Sequence, residues 1–150
     1  MWKNIAKELA TELKEVTERF VIALQQNDLE VCRSLSFQAQ TKLTEMFREL
    51  RNSQDHNEIP NKLGKNSSLG YFQEADSNCD EFSIFKTQRS FFNRNEELTL
   101  RDCANAVFHC KQRDYYVDPD GTHWLMYITD RKQLVIIDIK KVCDVIIANI

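Results

Sequence analysis

The chain has 150 residues, a formal net charge of −3 at pH 7 and five cysteines. A chain of this length is expected to fold as one domain, residues 1–150, with a core large enough to need no disulfide or metal. The cysteines are scattered and form no CxxC pair, so neither a disulfide framework nor a zinc site is suggested, and no apolar run reaches the length of a membrane span.

Charged residues at Lys3, Lys7 and Glu8 interrupt the apolar residues at the N-terminus. This pattern is unlike a secretory signal, whose apolar segment is continuous. We therefore expect a cytoplasmic protein, and no motif indicates a cofactor.

The first 50 residues show the periodicity of two amphipathic helices. Apolar residues recur every three or four positions from Trp2 to Gln25 and again from Cys32 to Leu50, as in helices that bury one face. Asn27 or Asp28 is suited to cap the second helix. Because the break is short, we expect a helical hairpin or a bent pair. A free helix that binds a partner is the less favoured alternative.

The middle of the chain gives weaker signals. Residues 52–70 are rich in Asn and Gly, which predicts a loop with at most one helical turn near Glu58 to Leu63. Tyr71 is expected to open a strand, and the alternating apolar residues of Phe82 to Arg89 predict another.

Residues 102–139 have the pattern of an antiparallel meander. We expect strands from Cys103 to Val117, from His123 to Thr129 and from Leu134 to Ile139. The first turn is Asp118-Pro119-Asp120-Gly121, in which proline presets φ and glycine accepts a positive φ.

The apolar spacing of Lys140 to Ile150 favours a short C-terminal helix over an extended strand. The order of elements predicts the α+β class, with a curved antiparallel sheet packed on the two N-terminal helices. A curved sheet would leave a cleft on its concave face.

Two stretches resemble the nuclear transport factor 2-like superfamily. Residues 16–35 read VTERFVIALQQNDLEVCRSL, and residues 104–139 read ANAVFHCKQRDYYVDPDGTHWLMYITDRKQLVIIDI. The first is similar to that family's opening helices and the second to its closing strands. The resemblance implies a cone-shaped pocket but no single reaction, because the superfamily includes isomerases, dehydratases, transport adaptors and bacterial immunity proteins that neutralise toxins.

The negative charge is concentrated in the middle of the chain. Residues 53–100 carry five basic and eight acidic groups, whereas the two flanking segments are balanced. An acidic run without intervening basic residues argues against a nucleic-acid partner and is compatible with a basic protein. The run comprises Glu74, Asp76, Asp80 and Glu81.

Aromatic residues cluster around the turn at 118–121. Half of them are expected to pack in the core and the other half to form an exposed patch of the kind that anchors interfaces. With the acidic run, the residues expected to bind a partner are Tyr115, Tyr116 and Trp124.

Catalytic candidates are few. Asp138 shares a strand face with Leu134 and Ile136, where an apolar environment would raise its pKa and suit a general base, although a structural role for this aspartate is favoured. His109 and Tyr127 are the other candidates for a pocket enzyme.

Two functions therefore compete. The favoured one is a non-catalytic immunity protein that neutralises a basic secreted toxin, such as a nuclease, and binds neither nucleic acid nor membrane. The alternative is a cone-pocket enzyme or small-molecule binder. A homodimeric scaffold is a third, generic alternative.

Overall fold

A computed structural model describes all of residues 1–150, which form five α-helices, one short 3-10 helix and four β-strands. The residues group into two compact units. The helical unit comprises residues 1–61 and 139–150, and the sheet unit comprises residues 62–138. Both the predicted helical pair and the predicted antiparallel sheet are present, so the α+β class is confirmed. That the chain is one domain stays a prediction.

The helical unit is built on the predicted hairpin of α1 (Trp2–Gln25) and α2 (Leu29–Asp55). Asp28 caps α2, because its side chain accepts the Val31 N–H at 3.2 Å. The connection passes through Asn27 at φ +55, a conformation that asparagine tolerates better than most residues. The buried stripe of α1 consists of Ala6, Ala10, Leu13, Val16, Thr17, Phe20 and Ala23.

The predicted C-terminal helix is also present, as α5 (Ile139–Asn149). It packs against α1, and an ion pair of 2.7 Å joins Lys14 Nζ to Asp144 Oδ1. None of the helices combines the length and the hydropathy that a bilayer-spanning segment requires.

The sheet unit contains β1 (Gly70–Glu74), β2 (Cys110–Val117), β3 (His123–Thr129) and β4 (Gln133–Asp138). All pairings are antiparallel and the strand order is β1-β4-β3-β2. The predicted meander is therefore confirmed from residue 110 onward. The strand expected at Tyr71 is confirmed as β1, which pairs with β4 so that Tyr71 lies opposite Ile136.

The prediction of a strand from Cys103 is wrong, because residues Leu100–Phe108 form helix α4. A reciprocal cap starts this helix: Thr99 Oγ1 accepts the Asp102 N–H at 3.1 Å, and the Asp102 carboxylate accepts the Thr99 N–H at 3.0 Å. This capping box fixes a helical start that strand-like residues further along do not override.

The prediction of a strand over Phe82 to Arg89 is also wrong, because Glu81–Thr87 form helix α3, followed by a 3-10 turn at Arg89–Phe91. Phe82 and Phe85 are both buried, and their spacing of three is helical rather than alternating. Between α2 and β1, residues 61–66 form turns and the helical turn expected near Glu58 to Leu63 is absent.

Side chains of the sheet alternate between two faces. One of them, here called the aromatic face, is covered by residues 81–92. Phe85 packs edge to face on Trp124 and on Tyr71, with ring centroids 5.5 and 5.2 Å apart. The buried residues of this cluster are Tyr71, Phe82, Phe85, Phe92, Trp124, Met126, Leu134 and Ile136.

The opposite face is also buried along the central strands, at Tyr127, Val135 and Ile137. Helix α4 packs against β3 and β4. Burial on both faces explains why β4 is a continuous apolar run instead of an alternating one.

The close approach of β1 to β4 allows a direct test of the fold. A Cβ atom on Gly70 would lie 1.9 Å from the carbonyl oxygen of Ile136. We expect Gly70→Ala to lower the free energy of unfolding by about 3 kcal/mol through this overlap, measured by urea denaturation. Gly121→Ala is the control: its Cβ would meet nothing within 4 Å, so only the positive φ contributes, at about 1 kcal/mol. Equal losses in the two variants would contradict the pairing.

Candidate binding surface

The acidic run lies in one loop, residues 74–81, here called the acidic loop. It begins at the end of β1 and runs into α3. The Ala75 N–H donates to the Lys132 carbonyl oxygen at 2.8 Å, so the loop is attached to the turn between β3 and β4. The loop is therefore held at one end by this hydrogen bond and at the other by its continuation into α3.

Glu81 does not belong to the exposed surface. Its side chain is buried, with 4% of the residue exposed, and its carboxylate accepts hydrogen bonds from the Asp76 N–H and from Gln73 Nε2. The expectation that Glu81 contacts a partner is therefore corrected: the loop uses this carboxylate to satisfy its own donors, as buried polar groups require.

Glu74, Asp76 and Asp80 are exposed. Asp76 Oδ1 accepts the Asn78 N–H at 2.9 Å. Asp80 caps α3, accepting the Ser83 N–H at 3.3 Å and the Ser83 hydroxyl at 2.9 Å. These two hydrogen bonds from Ser83 hold the pKa of Asp80 below its usual value, so its negative charge is favoured.

A groove of about 590 Å³ lies between the start of α3 and the strand β2. Phe82 and Ile128 provide its apolar lining, and Asp80 and Asp114 provide carboxylates. Lys86 Nζ lies 2.6 Å from Asp114 Oδ2, so this lysine largely neutralises one of the two. The remaining lining residues are Cys79, Glu81, Gln112 and Arg113.

The three aromatic residues expected at the surface have different positions. Trp124 is only 1% exposed and belongs to the core cluster, so its expected role as a surface anchor is corrected. Tyr116 is half-buried and packs edge to face on Phe85 at 6.5 Å. Tyr115 is 43% exposed. It precedes Tyr116 in β2, so its side chain points to the face of the sheet opposite to the aromatic face. The aromatic patch is therefore reduced to one exposed ring.

Asp118 explains the burial of Trp124. Asp118 Oδ2 accepts the Trp124 Nε1–H at 3.0 Å and lies 3.0 Å from Arg89 Nη2, while Oδ1 accepts the N–H groups of Asp120 and Thr122. Burial by itself raises the pKa of Asp118, but the hydrogen bonds from Trp124, Thr122 and Arg89 outweigh burial and leave the pKa below its usual value. One carboxylate thus holds both the turn and the indole.

The catalytic candidates lie in different places. Asp138 pairs with Trp124 in the β3–β4 register, whereas Tyr127 pairs with Val135 and so points to the opposite face. Burial raises the pKa of the Tyr127 hydroxyl far above its usual value. His109 ends α4 and is exposed, with Nδ1 3.9 Å from Asp130 Oδ2. No side of the sheet gathers all three.

No group of three or more His, Cys, Asp or Glu side chains is arranged to hold a metal ion. Comparison with models of protein families, with curated proteins and with solved structures finds no match to this chain.

The groove itself cannot be found from a strand pattern. If Phe82 to Arg89 is placed in a strand, there is no helix to be capped by Asp80 or to carry Lys86 to Asp114 of β2. The signal that could have revealed it is local: Asp80 followed three residues later by Ser83, with Phe82 and Phe85 at helical spacing, is the pattern of a capped helix.

The buried position of Glu81 can be tested by mutation. We expect Glu81→Ala to lower the free energy of unfolding by about 2 kcal/mol, because the donors on Asp76 and Gln73 lose their acceptor. Hydrogen exchange of the Asp76 amide should also become faster in NMR experiments. Glu74→Ala, at an exposed position of the same loop, should change neither quantity; a similar effect of both variants would contradict the assignment.

His123 makes the stability pH-dependent. It is buried, and burial lowers its pKa from 6.5 to about 4. Between these values the unfolded chain takes up a proton that the folded chain does not, so stability decreases as the pH falls from 6.5 to 4.

We expect His123→Gln to remove about 3 kcal/mol of the pH dependence across this range. The measurement is denaturation of both proteins at pH 7 and pH 4. Parallel stability curves for the parent and the variant would show that folding does not lower the pKa of His123.

Proposed function

We propose that this chain is a non-catalytic domain that binds a basic protein through the acidic loop, and that this partner is a secreted bacterial toxin whose activity the chain blocks. The observation that carries the proposal is the position of Glu74, Asp76 and Asp80, which are exposed on an anchored loop. Asp80 also borders the groove.

Exposed carboxylates on an anchored loop favour a protein partner of opposite charge. None of the three exposed acids takes part in an ion pair within the chain, so their charge is available to attract a partner. Complementary charge of this kind accelerates association and suppresses binding to wrong partners. A nuclease toxin fits this description, because its substrate-binding cleft must be basic to hold nucleic acid.

The toxin part of the proposal draws on the resemblance to immunity proteins of the nuclear transport factor 2-like superfamily. The competing proposal of a pocket enzyme is weaker, because Asp138 and Tyr127 point to opposite faces of the sheet. General acid–base catalysis needs such groups within hydrogen-bond reach of one substrate.

The test begins with the neighbouring gene, which for an immunity protein encodes a large secreted toxin. Expression of that toxin's C-terminal domain should stop bacterial growth, and co-expression of this chain should restore it. Purified toxin domain and chain should form a complex in size-exclusion chromatography. A toxin domain that remains lethal in the presence of the folded chain and does not bind it would refute the proposal.

The charge requirement is tested by an isosteric variant. The triple substitution Glu74→Gln, Asp76→Asn and Asp80→Asn removes three charges and keeps one side-chain oxygen at each position, which can still accept the Asn78 N–H and the Ser83 N–H. At position 80 the new amide NH2 stands in place of the oxygen that accepts the Ser83 hydroxyl, and it can donate to that hydroxyl instead. We expect association with the toxin domain to slow by about tenfold at low salt, and the salt dependence of the rate to weaken.

The matched control replaces three exposed acids of the helical unit, Glu15, Glu18 and Glu45, by glutamine. It changes the net charge equally but should slow association far less. If the two triple variants slow association equally, the effect is one of net charge and the acidic loop has no special role.

A further inference from the structure

The strand β2 is the one open edge of the sheet. At the other edge, β1 is covered: the Asn95 N–H donates to Gly70 O at 3.0 Å, and Asn95 Nδ2 donates to Phe72 O at 3.1 Å. No strand lies beyond β2. An open edge presents backbone donors and acceptors to any extended chain that can reach them.

The register shows which residues of β2 present these groups. The Asp118 N–H donates to Thr122 O at 3.0 Å, and bonded and non-bonded pairs alternate along an antiparallel ladder. The pairs Val117–His123 and Arg113–Tyr127 are therefore non-bonded, and the backbone groups of Val117 and Arg113 point outward. Consistently, the outward N–H of Tyr115 donates to Asp114 Oδ1 at 2.8 Å and not to β3.

The groove beside the acidic loop runs along this edge. Gln112 and Asp114 of β2 line it together with Asp80 and the apolar side chains of Phe82 and Ile128. A strand added to β2 would place every second side chain over this groove. The apolar lining suits an aliphatic stem, and the carboxylates suit a cation at its end.

We propose that an extended segment of the basic protein partner adds to β2 as a fifth strand and inserts a lysine or arginine side chain into this groove. This inference rests on the proposed function, since it specifies how the acidic loop and its partner meet. Strand addition is a common mode of peptide recognition, in which backbone hydrogen bonds supply affinity and a pocket for alternate side chains supplies specificity.

Addition of a strand to β2 would replace the hydrogen bond between Asp114 and the Tyr115 N–H by a contact between Asp114 and the incoming cation. Asp114 Oδ1 holds the Tyr115 N–H, and Asp114 Oδ2 holds Lys86. When the incoming strand offers a carbonyl to Tyr115, Asp114 Oδ1 becomes available to the incoming cation. An apolar or acidic side chain would not replace the lost hydrogen bond, so the same residue disfavours other strands.

The experiment uses two blocked synthetic peptides, acetyl-Thr-Val-Thr-Lys-Thr-Val-Thr-amide and its counterpart with glutamate in place of lysine. Each is titrated into the isotope-labelled chain and followed by amide chemical shifts. We expect saturable shifts at residues 112–117 with the lysine peptide and at least tenfold weaker binding of the glutamate peptide. Shifts that are absent, lie elsewhere, or are equal for the two peptides would overturn the inference.

Two variants separate the contribution of the β2 backbone to peptide binding from that of the Arg113 side chain. Arg113→Pro removes an outward N–H without breaking a bond to β3, and proline is tolerated at such edge positions. Arg113→Ala removes the same side chain and keeps the N–H. Because both variants lack the arginine side chain that lines the groove, they differ only in the backbone, and the proline variant should bind the lysine peptide at least tenfold more weakly than the alanine variant; equal binding by both would exclude strand addition.

If Arg113→Pro does not fold, Gln112→Trp serves instead, because a bulky side chain at this exposed position fills the groove. It should abolish the preference for the lysine peptide, and an unchanged preference would overturn the inference.

The toxin assay separates this inference from the proposed function. A toxin domain that is still neutralised by Arg113→Pro and Gln112→Trp would refute strand addition and leave the proposed function intact. A chain that binds the lysine peptide at β2 but neutralises no neighbouring toxin would refute the proposed function alone. If the parent is a dimer that Arg113→Pro converts to a monomer, the occupant of the edge is a second copy and the inference is wrong.

Discussion

The sheet unit depends on covering the aromatic face of its sheet. Trp124 and Tyr71 present large rings there, and a seven-residue helix, α3, provides most of the cover. So short a helix is not stable by itself. Arg89 lies over the rings of Phe85 and Trp124 at 4.9 and 5.1 Å, and Arg94 lies over Trp124 at 5.3 Å. Such contacts contribute roughly 0.5 to 2 kcal/mol each, and the guanidinium of Arg89 also pairs with Asp118.

The position of α3 then determines the candidate binding surface. Lys86 near the end of the helix pairs with Asp114 of β2, and Asp80 at its start borders the groove. Asp118 holds the 3-10 turn that follows α3 against the sheet, because it binds Arg89 as well as Trp124. The Asp118 side of this ion pair is buried and the Arg89 side is partly exposed, and such a pair is weak evidence for added stability, since desolvation offsets much of the attraction. Here it specifies which part of the chain covers the sheet.

The elements with long or distinctive sequence patterns could be predicted, whereas some of those with short patterns could not. The long stripes of α1 and α2 and the turn at 118–121 are strong local patterns, and their elements are present as expected. Helices α3 and α4 are short, and several of their apolar residues fit strand alternation too, so the signals that distinguish them are the caps at Asp80 and Thr99 and the three-residue spacing of Phe82 and Phe85. The burial of a polar side chain is harder to predict from the sequence than its secondary structure. Asp80 and Glu81 are adjacent and chemically alike, yet Asp80 is exposed to solvent and Glu81 is buried and accepts hydrogen bonds from Gln73 and Asp76. That difference arises from the loop conformation, which composition does not encode.

The two parts of the binding surface would act at different distances. The exposed carboxylates of the acidic loop attract a basic partner over about one Debye length, roughly 8 Å at physiological salt, and lose much of that effect as salt is added. Backbone hydrogen bonds at β2 form only on contact and are little affected by salt. Of the nearby basic residues, Lys86 does not oppose this attraction, because its ammonium is paired with Asp114. A partner would thus be selected first by charge and then by its ability to present an extended segment, which is a stricter requirement than either condition alone.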